Sequence, residues 1–233
     1  MKTIKNPGLY AALIAASVLF LVLQRITHVE FLLHLAAIPL EILLGALLVE
    51  RFLEGRKKAE RLRQLMYIKS YHFRGVMRGL FIANLQALKQ PSLTIPEIRR
   101  AGPAELWDMR RRAEHVEYDS DEKMEGVVME YLKARHVFID FMERAITHDF
   151  EAIFHGMIYV LNFIQDIELF KRRHPDGLFV AEARCHPDLG EKMDKVLGDG
   201  VRSFLDHAIE LKEKHPEMFE ELLADYQLSV SMA

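Results

Sequence analysis

Two apolar segments near the start of the chain constrain its fold more than any other feature. Residues 8–24 and 31–49 each approach the roughly 20 helical residues that cross a bilayer. Residues 25–30 connect them, so the pair predicts a helical hairpin in a membrane. The first segment runs into Leu23-Gln24-Arg25 and not into a small-x-small cleavage site, which favours an uncleaved anchor over a signal peptide.

Basic residues flank the outer ends of the two segments. Lys2 and Lys5 precede the first, and only Arg25 lies in the connection. The second is followed by a basic cluster made of Arg51, Arg56, Lys57, Lys58, Arg61 and Arg63. Because basic residues mark the cytoplasmic side, we expect an inner (cytoplasmic) membrane protein with both termini in the cytoplasm.

The same basic cluster is a candidate contact for anionic lipid headgroups. Each basic residue near an anionic surface contributes about 1 kcal/mol. The predicted headgroup residues are Arg56, Lys57, Lys58, Arg61 and Arg63. A role as a topology signal alone remains open. The net charge of −3 gives no support to a nucleic-acid partner.

Glu41 lies near the middle of the second segment. An ionisable side chain at that depth costs roughly 2.5 to 3.5 kcal/mol on insertion scales, so it normally faces protein or water. Helical spacing places it on one stripe with His34, Ala37 and Gly45. Two interpretations stay open: Glu41 fixes the geometry of an oligomer, or it lines an ion or proton path with His34 as a second titrating group.

Small residues recur every fourth position on the first segment. Gly8, Ala12 and Ala16 form a small-xxx-small pattern, which lets helices approach closely. Together with Gly45 on the second segment, they are the predicted helix-packing residues. We expect this face to pack on another helix.

The rest of the chain predicts an all-α fold. Apolar residues step by three and four along several segments, and no stretch alternates long enough to indicate a strand. Thr94-Ile95-Pro96-Glu97 has the pattern of a capped helix start. Gly198-Asp199-Gly200 interrupts a helical pattern and indicates a hinge or kink.

The predicted organisation has three parts. A two-helix transmembrane hairpin occupies residues 1–52, and a basic juxtamembrane helix that continues the second span occupies residues 53–90. No proline lies between Leu40 and Gln90, so one helix is expected up to Pro91. A cytoplasmic helical bundle follows at residues 91–233.

Signals for chemistry are weak. His148, Glu151 and His155 share one helix face and are the strongest metal hypothesis, but the Glu-x-x-His pairs of di-iron bundles and the His-Glu-x-x-His of zinc proteases are absent. The chain also lacks a phosphate loop and a nucleophile elbow. The single cysteine, Cys185, excludes an intramolecular disulfide. We expect no enzymatic activity, cofactor or metal.

The sequence therefore favours a membrane-anchored, self-associating scaffold or interaction protein with a cytoplasmic binding domain. Its expected partners are anionic lipids, further copies of itself and a cytoplasmic protein. The alternative is an oligomeric ion or proton channel with Glu41 and His34 on the conduction path.

Overall fold

The computed structural model describes residues 7–147 and 151–232. Nearly all of these residues are helical, and the predicted all-α fold class is confirmed. The chain divides into two compact units, Met1–Leu65 and Met66–Ala233. Each unit is described by itself below.

The first unit is a helical hairpin. Helix α1 is Pro7–Thr27, and α2 is Phe31–Arg74, whose first part lies in this unit. His28 joins them with a φ of 55°, in the left-handed region that histidine tolerates better than most residues. Helix α2 has 44 residues and continues past Gly55 without interruption.

The two helices of the hairpin meet along a seam in which buried or half-buried residues recur at intervals of three and four. On α1 they are Tyr10, Leu13, Ser17, Phe20 and Gln24, and on α2 they are Leu32, Ala36, Pro39, Leu43, Ala46 and Glu50. This spacing is that of a coiled-coil contact. Ser17 Oγ donates to the Ala36 carbonyl oxygen at 2.8 Å, and the Tyr10 hydroxyl donates to Glu50.

Both helices of the hairpin expose most of their apolar surface. Gly8–Thr27 and Phe31–Lys57 are long and apolar enough to cross a membrane, judged by length and composition. Only 6% of the first span and 11% of the second, over their most apolar windows, is buried within the structure. The two helices therefore do not have the burial of core helices in a soluble domain.

The second unit contains the end of α2 and nine further helices among the described residues. Their bounds are Arg78–Ala87 (α3), Ile95–Arg100 (α4), Pro103–Arg112 (α5), Asp121–Lys133 (α6), Arg135–Thr147 (α7), Glu151–Arg173 (α8), Phe179–Cys185 (α9), Pro187–Lys214 (α10) and Pro216–Met232 (α11). Two short strands, Leu88–Gln90 (β1) and Glu117–Tyr118 (β2), pair antiparallel.

Helix α2 ends at Arg74, so the expectation of one helix up to Pro91 is wrong. Gly75 opens a three-residue turn, and its position is tight, because a Cβ there would lie 3.3 Å from the Tyr71 carbonyl oxygen. Arg74 also holds this end of the helix through ion pairs to Glu221 and, at 2.9 Å, to Asp225. These contacts fix the end of α2 to α11.

Helix α10 lies at the centre of the second unit and packs against α3, α5, α8, α9 and α11. Its buried face carries mainly apolar side chains, among them Met193, Val196, Leu197, Val201, Phe204, Leu205, Ala208 and Leu211. A helix surrounded in this way has to satisfy its polar groups from neighbouring elements as well as from its own backbone.

Gly200 does not form a hinge, because α10 continues through it without a break. Tyr131 donates from its hydroxyl to the Val196 carbonyl oxygen at 3.0 Å, and Asn84 Nδ2 donates to that of Leu197 at 2.9 Å. A Cβ on Gly200 would overlap the Tyr131 hydroxyl and lie 2.9 Å from Asn84 Nδ2. The glycine therefore makes room for two side chains that bond to the backbone of α10.

We predict that Gly200→Ala lowers the free energy of unfolding by about 1 to 3 kcal/mol, because the added methyl group displaces Tyr131 and Asn84. Thermal unfolding of the full chain in detergent micelles, followed by circular dichroism, measures the effect. The matched control is Gly126→Ala on α6, where a Cβ meets no atom within 4 Å and which should gain about 0.5 to 1 kcal/mol. Equal stability of the two variants would contradict this reading of Gly200.

Candidate functional site

The predicted polar stripe of α2 lies on the outside of the hairpin. His34, Ala37, Glu41 and Gly45 are all exposed, and at 3.6 residues per turn they lie roughly opposite the seam. No hydrogen bond or ion pair to Glu41 or His34 occurs among the described side chains. Within one copy of the chain, the carboxylate of Glu41 is therefore uncovered.

Three of the four predicted helix-packing residues are not used inside the hairpin. Gly8 and Ala12 on α1 and Gly45 on α2 are exposed, and Ala16 is half-buried beside Ser17. A Cβ on Gly8 or Gly45 would meet no atom within 4 Å. Neither helix of the hairpin covers Gly8, Ala12 or Gly45. That these residues pack on another helix remains a prediction.

Some outward-facing residues of α1 and α2 lie at similar heights along the hairpin. The hydrogen bond from Ser17 and the hydrogen bond from Tyr10 mark two levels along the antiparallel helices. Ala12 lies between these levels on α1, and Glu41 and Gly45 lie between them on α2. Ala12 on α1 and the carboxylate of Glu41 on α2 thus lie at similar depth on opposite sides of the hairpin.

The basic cluster after the apolar part of α2 faces solvent. Arg56, Lys57, Arg61 and Arg63 are exposed, whereas the side chain of Lys58 lies outside the described ones. Arg63 forms an ion pair with Glu60 at 2.8 Å, and the Arg56 guanidinium lies 5.1 Å from the centroid of the Phe52 ring. The exposed ammonium and guanidinium groups are accessible to an anionic surface, and their binding to headgroups remains a prediction.

Two of the three residues of the metal hypothesis lie outside the part of the chain whose side chains the structure describes. His148 is not described, nor is the side chain of Glu151, and His155 is exposed on α8. In residues 7–147 and 151–232, no group of three or more His, Cys, Asp or Glu side chains is placed to hold a metal ion.

A buried polar cluster that the sequence analysis missed lies between α2 and α10. His207 is fully buried, its Nε2 lies 3.1 Å from Ser70 Oγ, and the Phe73 ring stands edge-on to the imidazole at 4.7 Å. His207 Nδ1 has no hydrogen-bond partner. Burial, with a further contribution from Lys69, lowers the pKa of His207 to about 3. The imidazole is therefore neutral at physiological pH.

Lys69 borders the same cluster. Its ammonium lies 5.1 Å from the centroid of the Phe73 ring, which is a cation–π contact. Burial lowers the pKa of Lys69, and the nearby carboxylates of Glu210 and Asp206 oppose that shift. Among the described residues, no carboxylate lies within ion-pair distance of the ammonium.

Ser70 and His207 place a hydroxyl beside an imidazole, as a nucleophilic site does, but neither group is accessible to a substrate. Both side chains are buried, with Ser70 2% and His207 0% exposed. A serine nucleophile needs a substrate within reach of its hydroxyl, and burial of both groups prevents this. The only signal in the sequence is the position of His207 between Phe204 and Ala208 on an apolar face.

Comparison with known proteins adds no functional information. No protein-family model, curated protein or solved structure matches this chain. Its function has to be inferred from the placement of its own residues.

We predict that His207 makes the second unit less stable in acid. The unfolded histidine has a pKa near 6.5, against about 3 in the folded chain, so the unfolded chain takes up the proton first as the pH falls. The contribution of His207 is complete above about pH 6.5 and falls by roughly 1.4 kcal/mol per pH unit as the pH drops towards 3.

Thermal unfolding of the full chain between pH 7 and 4.5 measures this dependence. His207→Gln should flatten the pH profile relative to the wild type, whereas His115→Gln, at an exposed histidine, should not. Parallel profiles for His207→Gln and the wild type would show that the pKa of His207 is the same in the folded and unfolded chains, and would contradict the prediction.

Proposed function

We propose that this protein is a membrane-anchored interaction protein that self-associates through its hairpin and presents its helical unit to a cytoplasmic protein. In this proposal α1 and the first part of α2 cross the cytoplasmic membrane, and both termini lie in the cytoplasm. The observation that carries the proposal is the exposure of Glu41 on the side of α2 that faces away from the seam.

Exposed apolar side chains support the membrane location. The large ones on the outer surface of the hairpin include Leu9, Ile14, Leu19, Val22, Phe31, Ile42, Leu44, Leu48 and Phe52. Soluble monomers rarely expose contiguous apolar surface on this scale. Lipid covers such a surface without a protein partner, and the basic residues on the outer ends of both helices support the orientation.

The carboxylate of Glu41 supports self-association. Lipid cannot satisfy a carboxylic acid near the middle of a span, whereas a second helix can accept or donate a hydrogen bond there. A second copy brings Ala12 of its own α1, or the same stripe of its α2, to a similar depth. Small residues on the approaching face allow the backbones to come close enough for that bond.

Exposed aromatic residues support a protein-binding role for the second unit. Trp107 is 53% exposed and Tyr71 is 74% exposed. Tryptophan and tyrosine are enriched among the residues that contribute most to protein–protein affinity. In this proposal the cytoplasmic partner binds the second unit.

A channel is the second candidate function. His34 and Glu41 lie seven residues apart on the same exposed side of α2, so both would line a path enclosed by several copies. Proton or cation flux in vesicles holding the purified chain tests this candidate. Flux that is lost in Glu41→Ala supports the channel, and absence of flux at every pH from about 5 to 8 rules it out.

We predict that Glu41→Leu weakens self-association in liposomes by about five- to thirtyfold, which corresponds to about 1 to 2 kcal/mol for a lost interhelical hydrogen bond. Cys185 is exposed and is the only cysteine, so donor and acceptor dyes on it report association by energy transfer as the protein is diluted in lipid. Glu41→Gln, which keeps hydrogen-bonding atoms, should retain most of the association.

Two variants on α1 provide the steric controls. Ala12→Leu should weaken association if the small face is packed, and Ile14→Phe, which adds bulk on another exposed side of the helix, should leave it unchanged. Unchanged energy transfer in Glu41→Leu at every dilution would contradict the proposed role of this residue.

A further inference from the structure

The second unit contains an apolar cavity of about 350 Å³. Side chains from α3, α7, α8 and α10 form its walls, among them Phe81, Phe138, Phe141, Met157 and Val160. Its volume is at the small end of the range of about 300 to 1,000 Å³ for ligand pockets. A lining made mainly of such side chains favours an apolar ligand.

Two nitrogen-bearing side chains of α2 also line the cavity. Lys69 and His72 lie three residues apart and therefore on the same face of the helix. The Lys69 ammonium has no carboxylate within ion-pair distance among the described residues. His72 Nε2 lies 3.4 Å from Asp140, while its Nδ1 is buried without a hydrogen-bond partner.

The other polar groups of the lining are engaged or exposed. Asp199 forms an ion pair with Arg202 at 2.6 Å, and the Tyr131 hydroxyl is bonded to the backbone of α10. Ser203 is exposed. The groups left to meet a ligand are therefore a cation and an imidazole nitrogen beside apolar walls.

We propose that this cavity binds a single-chain anionic amphiphile, with its acyl chain between α3, α7, α8 and α10 and its anionic head group at Lys69 and His72. Glu210 and Asp206 act on Lys69 from beyond ion-pair distance, and an anionic head group would be a direct partner for the ammonium. Charge-assisted hydrogen bonds of that kind are the strong ones. The volume accommodates one acyl chain and is too small for a two-chain phospholipid. This inference is independent of the function of the hairpin.

Photolabelling tests the proposal on the full chain in lipid nanodiscs. The probe is a fatty acid of the chain length of laurate with a diazirine in the middle of its chain, and mass spectrometry of the digested protein maps the labelled peptides. We expect labelled peptides from the cavity wall, for example those containing Met77 or Met157. Labelling confined to residues 7–57 would show partition into the membrane only and would overturn the proposal.

Two variants fill the cavity, each with a matched control. Val160→Phe adds an aromatic ring to the wall, and Val230→Phe adds the same ring at an exposed position of α11. Gly156→Leu adds a side chain at a lining glycine whose Cβ meets no atom within 4 Å, and Gly126→Leu makes the same change outside the cavity.

We expect both filling variants to lose at least about tenfold of the wall labelling, and both controls to keep it. If Val160→Phe does not fold, the Gly156 pair still decides the outcome, because that glycine has free space around it. Wild-type labelling in a folded filling variant would overturn the proposal.

The head-group contact is tested separately. Lys69→Met should reduce wall labelling by the acid about tenfold and leave labelling by the matching diazirine alcohol unchanged, because only the acid carries a charge. Equal effects on both probes would contradict the assignment of the head group to Lys69.

Unlabelled competitors distinguish two sources of the ligand. Displacement by laurate identifies a free fatty acid, and displacement by a lysophospholipid alone identifies a single-chain lipid derived from the membrane. Displacement by neither competitor would overturn the proposal.

Discussion

The apolar surface that the hairpin leaves uncovered is the constraint on which the rest of the molecule depends. Burial of apolar surface contributes about 25 cal/mol per Å², and the seam between α1 and α2 covers only one side of each helix. The second unit buries its own apolar residues around α10. One chain thus combines a unit that buries its own core with a hairpin whose outer surface is apolar and exposed.

The two units also differ in the hydrogen-bond partners of their polar side chains. In the second unit, several buried groups have partners within the chain: Tyr131 and Asn84 bond to carbonyl oxygens of α10, and Ser70 Oγ lies against His207 Nε2. In the first unit, Ser17 bonds across the seam, whereas Glu41 has no partner among the described side chains. An unpaired polar group in an apolar setting is costly, and our proposal of self-association rests on that cost at Glu41.

Local signals in the sequence predicted local structure well. The helix cap at Thr94 forms as its spacing indicates, and the all-α class follows from the apolar periodicity. The features that were missed depend on distant contacts. The sequence around Gly200 indicates a hinge, because nothing near it shows that Tyr131, 65 residues before its partner Val196, packs against the glycine. Likewise, Ser70, the partner of His207, lies 137 residues away from it in the chain. Neither pairing has a local pattern.

Labelling of single cysteines tests most directly whether the hairpin spans the membrane with both termini in the cytoplasm. Cys185 is exposed and should react with a membrane-impermeant maleimide only after spheroplasts of an expression host are opened. A cysteine placed in the turn, His28→Cys in a Cys185→Ser background, should react while the spheroplasts are intact. Reaction of Cys185 in intact spheroplasts, or recovery of the protein in the soluble fraction, would contradict this topology.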